Sequence, residues 1–220
     1  MSDYQWDFGV VFRYLNMWFM GFLVTAGYAL ATTLAGLIIG VICGMLLLNR
    51  RRILTAPVNG YVQLFRCTPL LIQIIWFYYA FPVVTRISMP AWLAAGLGLT
   101  LYMGAFSAEI FRGGIMSIDR GQWQAARAIG MMPRQVMWRV ILPQATQRML
   151  PPFVNQSVLQ LKNTSLLSVV AVPDLMYNAS VIVSDTFRPL EVYTSLGLAY
   201  LAILYPLQKL AKQLEHRDDV

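Results

Sequence analysis

Charge, cysteine and histidine are all scarce in this chain. Only 12% of its 220 residues are charged, it holds two cysteines and one histidine, and 58% of its residues are apolar. A composition so far from soluble usage is that of a protein embedded in a membrane through several spans. Cys43 and Cys67 fall inside apolar stretches without metal-ligand spacing, and His216 lies in a polar tail, so a zinc centre or a Cys-His nucleophile has nothing to be built from. A glycine-rich phosphate loop ending in Lys-Ser or Lys-Thr is also missing, so no nucleotide-hydrolysing site is expected in the chain itself. Neither catalytic residues, a bound cofactor nor a metal are anticipated. The first apolar stretch follows the acidic, polar start Asp3–Gly9 and has no basic leader or cleavage-like end. It reads as a retained span, not a signal peptide.

What is abundant is apolar sequence in runs of about twenty residues, the length that crosses a bilayer as a helix. Five spans are predicted, at 20–48, 58–81, 89–111, 148–170 and 191–210, giving an all-α polytopic membrane protein. The fourth carries Asn155, Gln156, Gln160, Lys162, Asn163, Thr164 and Ser165. A helix facing protein or water carries such groups where a lipid-facing one cannot. Positions 156 and 160 share a face and 162 is displaced around the helix. The set suits a helix that lines an aqueous route, where Lys162 can attract a carboxylate while amides and hydroxyls orient the rest, the alternative being a structural salt bridge or a contact with the connecting loop.

The basic residues are placed asymmetrically. Arg50, Arg51 and Arg52 follow the first span, Arg112, Arg120, Arg127, Arg134, Arg139 and Arg148 populate the connection after the third, and Lys209, Lys212 and Arg217 sit near the end. Asp3, Asp7, Asp174, Asp185 and Glu191 mark the other side, against Arg13, Arg86 and Arg188. The positive-inside rule then places the N terminus outside and the C terminus in the cytoplasm. The net charge of +7 is a topology signal, and no nucleic-acid partner is expected. Residues 1–19 read as an extracytoplasmic segment, 20–212 as the membrane domain with a cytoplasmic loop at 113–147, and 213–220 as a cytoplasmic tail.

Within that loop, residues 121–143 read as two short helices separated by a break. Asp119 or Ser117 is a plausible cap, Gly130 interrupts, Pro133 fits a first helical position and Pro143 stops the second helix. Small residues at Ala125, Ala126 and Gly130 would let another protein approach closely, with Trp123, Met131, Met132, Met137 and Trp138 as apolar contact area. An amphipathic hairpin on the lipid headgroups is the competing reading. Elsewhere, Arg66 and Glu109 can pair between helices in a structural or gating role, and Arg112 can snorkel to headgroups. Gly36, Gly40 and Gly44 permit close packing against an unidentified helix, and Tyr61 and Trp76–Phe81 supply an aromatic belt.

Several motifs together resemble a known family. Gln124-Ala125-Ala126, Gly130 and Ile141-Leu142-Pro143 are similar to its Glu-Ala-Ala, Gly and Ile-x-Leu-Pro-like pattern. Arg66-Cys67-Thr68-Pro69-Leu70-Leu71 resembles Arg-Gly-Thr-Pro-Leu, and Ala108–Ile115, Arg148–Pro152 and Lys162–Leu167 follow in order. The chain therefore resembles an integral-membrane permease subunit of a bacterial ATP-driven importer for polar amino acids, of the histidine, glutamine, glutamate and arginine permease type, with the type I importer fold. Gln124 in place of glutamate and Cys67 in place of glycine are its departures. The resemblance implies that Trp123, Gln124, Ala125, Ala126, Gly130, Pro133, Ile141, Leu142 and Pro143 form the coupling loop to a separate ATPase. It implies a second permease protomer, with a heterodimer slightly favoured because an asymmetric pair tolerates Gln124 in one copy, together with two cytoplasmic ATPases using ATP-Mg and an extracytoplasmic solute-binding protein. The location it implies is the bacterial inner membrane, and opines and related derivatives stand beside the amino acids as substrates. An ion-coupled carrier would need internal repeats or a buried relay, a membrane enzyme would need convergent catalytic groups, and an assembly subunit would leave the polar fourth span unexplained.

Overall fold

The computed structural model describes residues 4–49 and 51–215, so Asp3, Arg50, His216 and Arg217 lie outside the described residues. Everything regular in it is helical. Three helices are each long and apolar enough to cross a membrane, and two bent pairs bring the number of candidate spans to five. The described residues cluster into two compact units, one made of the chain up to Thr33 with Leu70–Leu99 and Val158–Leu207, the other of Leu34–Pro69, Thr100–Ser157 and the chain from Gln208 onward.

After the short α1 (Gly9–Arg13), α2 runs Leu15–Leu47. Its exposed residues include Phe19, Leu23, Leu30, Leu34, Ile38, Ile42 and Met45, an apolar stripe that only lipid or another apolar surface can cover. The expected span at 58–81 is bent at a corner. α3 (Arg52–Cys67) meets a second helical stretch, Leu70–Thr85, at 109°. Pro69 is the cause: a proline ring forces the residue before it out of helical geometry, and Thr68 is extended at φ −107°, ψ 141°. That second stretch is α4 (Leu70–Ile75), a π-helical turn at Trp76–Ala80 and α5 (Phe81–Thr85).

α6 (Ala91–Met116) is the most enclosed of the three long apolar helices, with half of its apolar window buried against 22% for α2. Next come α7 (Arg120–Ala128) and α8 (Pro133–Gln135). A π-helical stretch, Val136–Ile141, then leads directly into α9 (Leu142–Asn163). Pro143 therefore does not stop a helix. It sits just past the π-helical stretch, inside a helix that runs on unbroken from Pro133, where the wider turns have already displaced the regular hydrogen-bond ladder that a proline ring would otherwise break. A 3-10 stretch, Thr164–Val170, ends at Ala171 in the left-handed region, φ 57°, and α10 (Leu175–Thr186) begins behind an Asp174 cap whose carboxylate accepts from the Tyr177 N–H at 2.8 Å. α11 (Pro189–Glu215) completes the chain.

In the first unit, Val10, Leu175, Ala179, Ile182, Val192 and Leu196 form the apolar centre. The N-terminal residues are tied to it. Glu191, wholly buried, accepts from the Tyr4 hydroxyl at 2.5 Å, the Asp7 N–H at 3.0 Å and Arg188 at 3.0 Å. The hydrogen bond to that carboxylate holds the Tyr4 phenol above its ordinary range.

The second unit contains the packing that the glycines at 36, 40 and 44 foreshadow, and their neighbour is α6. A Cβ on Gly36 would come within 2.5 Å of Met103, on Gly40 within 2.2 Å of Ser107 and on Gly44 within 2.8 Å of Phe111. Four-residue spacing on both helices aligns small against larger side chains along one seam. Phe111 continues from the seam into a core of Ile115, Ile118, Ala126, Val136, Ile141, Ala145 and Met149.

Candidate functional site

The segment between α6 and α9 is a locally determined structure. Asp119 caps α7 by accepting from the Gly121 N–H at 2.5 Å. At the other end Gly130 takes φ 80°, Met131 N–H reaches back to the Ala126 carbonyl at 3.2 Å and Gly130 N–H to Arg127 at 3.0 Å. This pair of bonds closes a helix through a left-handed glycine. Met132 N–H then donates to the Gln135 side chain at 2.9 Å, starting α8 with Pro133 first.

The fold divides the expected coupling residues into two sets. Ala126 and Ile141 are buried in the segment's own core, with Trp123, Met131, Met137 and Leu142 packed against it. Ala126 is therefore not part of the surface it was expected to open. It lets α7 lie close on α6 and the π-helical stretch. Gln124, Ala125, Gly130, Pro133 and Pro143 are exposed, joined by Ile129 at 78%, Met132 at 69% and Trp138 at 61%. Ile129 was not anticipated. Its position one residue before the left-handed glycine, in a helix whose apolar face points elsewhere, is the available signal. A hollow of about 460 Å³ lies among Met132, Arg134, Gln135, Trp138 and Arg139. Within the expected loop 113–147, α6 continues to Met116 and α9 starts at Leu142.

Along α9 the polar residues separate by face. Gln156, Gln160 and Thr164 are buried. Gln160 donates to the Thr32 hydroxyl and the Leu99 carbonyl, both at 2.9 Å, which makes it a tie between helices. The Thr164 and Ser165 hydroxyls donate to Leu161 and Lys162 carbonyls at 2.7 and 2.9 Å, tightening the helix into the 3-10 stretch. Asn155 and Lys162 are exposed on the same face as Leu159, and Asn163 is half-buried. Of the seven expected pathway residues, Asn155 and Lys162 are the two that face outward.

Glu109 is the hub of a third cluster. Arg112 donates to its Oε2 at 2.8 and 3.3 Å, while Arg66 stands 3.9 Å away with its guanidinium 5.5 Å from the Phe106 ring centre. Arg112 thus pairs within its own helix, where a three-residue offset brings it beside Glu109.

Residues 36–217 match the family of binding-protein-dependent transport system inner membrane components. The chain belongs to that family. As a member it is a multi-pass protein of the inner membrane, and its helices form a permease fold. Relatives include the octopine transport system permease protein OccM of Rhizobium meliloti, 35% identical over 216 residues, covering 91% of this chain and 88% of the relative. A probable glutamine ABC transporter permease protein, GlnP of Bacillus subtilis (strain 168), is 35% identical over 201 residues, covering 90% and 92%. Among solved structures, an amino acid ABC transporter crystallised with histidines superposes at a TM-score of 0.92 and 28% identity, covering 97% of this chain and all of that one. The permease fold thus spans nearly the whole length of this family member.

Proposed function

We propose that this chain is the permease subunit of an ATP-driven importer for polar amino acids or close derivatives, and that the exposed face of residues 120–141 docks it to a separate cytoplasmic ATPase. The observation that carries the reading is the exposed set Ile129, Met132 and Trp138, ringed by arginines, on a segment whose own caps and core are complete. A segment already folded and still offering large apolar side chains is built for a partner. The relatives named for octopine and glutamine transport, and the solved amino acid transporter, support a substrate with an α-carboxylate and an ammonium.

In this reading the arginine-rich end faces the cytoplasm, the N terminus lies outside, and two permease protomers enclose the route. A heterodimer is favoured because Gln124 stands where the motif has glutamate. The exposed Asn155 and Lys162 face of α9 lines the route, Lys162 attracting the carboxylate of the passing solute. ATP-Mg is bound and hydrolysed by the paired ATPases. Their closure pushes on residues 120–141 and opens the permeases to an extracytoplasmic solute-binding protein; hydrolysis resets them.

The test is to purify the chain with its natural companions into lipid nanodiscs, identify them by mass, and measure ATP hydrolysis with binding protein and single amino acids. Stimulation by one amino acid is the expected result. A well-behaved, transport-active sample without an ATPase partner would move the protein to the ion-coupled carriers.

A further inference from the structure

Beside the Glu109 cluster lies an open cavity of about 560 Å³, lined in part by Arg66, Phe106, Gly113, Ser117, Arg148 and Pro152. We infer that this cavity is a binding site for the phosphate of an anionic phospholipid, held by Arg66 and Arg148.

Charge is the first argument. Arg66 and Arg112 flank the Glu109 carboxylate, with Arg148 lining the same cavity; Arg112 takes the carboxylate at 2.8 Å, leaving Arg66 at 3.9 Å, the limit of ion pairing. Arg148 spends one donor nitrogen on Ser117, reaching the carbonyl at 2.5 Å and the hydroxyl at 3.4 Å. A guanidinium has five N–H donors in a fixed fork, so both lining arginines keep donors for an oxyanion, and a phosphate matches that fork.

Depth is the second. No charged residue occurs on α6 between Ala91 and Ala108. At 1.5 Å per residue those eighteen positions cover about 27 Å, close to the hydrocarbon thickness of a bilayer. Glu109, Arg112 and Ser117 then fall where lipid phosphates lie, and basic pockets between helices at that level take anionic headgroups. Phe106, Ile110 and Pro152 give the cavity an apolar side fit for the glycerol and upper acyl carbons.

Space is the third. A Cβ on Gly113 would meet nothing within 4 Å, whereas one on the adjacent Gly114 would come within 2.2 Å of Met149. Gly114 is filled by packing and Gly113 opens on the hollow. Of the proposed function, only the choice of the cytoplasmic leaflet is borrowed; charge, depth and space hold without it.

The intact complex should be placed in nanodiscs of phosphatidylcholine doped with phosphatidylglycerol, and retained lipid counted by native mass spectrometry. Wild type is expected to keep phosphatidylglycerol, with retention falling at least about fivefold in Arg148→Gln and Arg66→Gln, and less in Arg148→Lys, which keeps charge but loses the fork. Gly113→Leu is expected to displace the lipid with every charge intact, which covers the case in which an arginine variant fails to fold. Equal retention in wild type and Arg148→Gln overturns the assignment. So does unchanged retention with a raised KM for solute, which would make the cavity an exit subsite for the substrate carboxylate. Phosphatidylglycerol displaced equally well by inorganic phosphate would reduce the site to a free-anion site. Retention is read without ATP hydrolysis, so failure of the importer reading leaves it standing or falling by itself.

Discussion

The α2–α6 seam and the segment 120–141 use the same small-residue chemistry to opposite ends. At Gly40 the missing side chain is already occupied, with Ser107 within 2.2 Å of where a Cβ would be. At Gly130 nothing lies within 4 Å, the φ of 80° serves a turn, and Ile129, Met132 and Trp138 stand exposed around it. Small residues whose space is filled from within are part of the fold. Those whose space stays open beside large apolar side chains mark a surface awaiting something else.

The seam should be the more fragile of the two. Gly40→Val puts branched carbons against Ser107 and against backbone atoms of 107 and 108 at 2.9–3.0 Å, which cannot rotate away. Overpacking typically costs about 1–3 kcal/mol, and a backbone clash belongs at the upper end. The expected outcome is loss of monodisperse protein from detergent extracts. Gly36→Ala should be milder, because it adds one carbon where valine adds three, although that carbon meets Met103 Cγ and Cβ at 2.5 and 2.6 Å. Equal tolerance at 36 and 40 would remove the seam from the account.

The open surface should respond in partner binding and not in folding. Trp138→Ala is expected to weaken ATPase association by about thirtyfold, a loss of about 2 kcal/mol typical of a buried aromatic anchor, while the unfolding temperature of the permease alone stays put. Titrating the purified ATPase against permease in nanodiscs measures it. A variant that binds normally, or that unfolds earlier, erases the distinction between the two regions. Between these lies Gly130→Ala, where the left-handed conformation costs an L-residue about 1–2 kcal/mol. Its expected sign is faster proteolytic nicking at 129–131, with Gly130→Asn closer to wild type.

The two regions also differ in what sequence alone discloses. Five apolar runs, the capped pair of short helices and the Gly36–Gly40–Gly44 spacing are local patterns, and each is visible in the order of residues. Which helix fills the glycine seam is not local, since nothing near Gly40 names Ser107. The corner at Thr68–Pro69 could have been read from proline's constraint on the preceding residue, but the continuous apolar run around it argued for a single span. The continuation through Pro143 depends on the π-helical turns before it, a register that composition does not encode. Among pathway candidates, helical spacing separated Gln156 and Gln160 from Lys162 correctly, yet which face would be buried was set by Thr32 and Leu99, far away in the chain.

Gln124→Glu should have the smallest effect, and its sign is informative about the partner. Gln124 is exposed on α7, one residue from Ala125 on the open side of the segment. Restoring the motif's glutamate adds a negative charge at a position that, if it meets a cation on the ATPase, gains an ion pair worth about 1 kcal/mol at most, roughly fivefold in affinity. That gain must shrink as salt is raised, because exposed pairs are screened. Glutamine keeps the side-chain length and can donate as well as accept a hydrogen bond, so an ATPase groove matched to this copy would present an acceptor there and bind the glutamate variant more weakly. Stronger, salt-sensitive binding means an ATPase surface that suits the usual motif and tolerates this chain; weaker binding means a surface fitted to glutamine, and with it a complex whose two permease copies need not be alike.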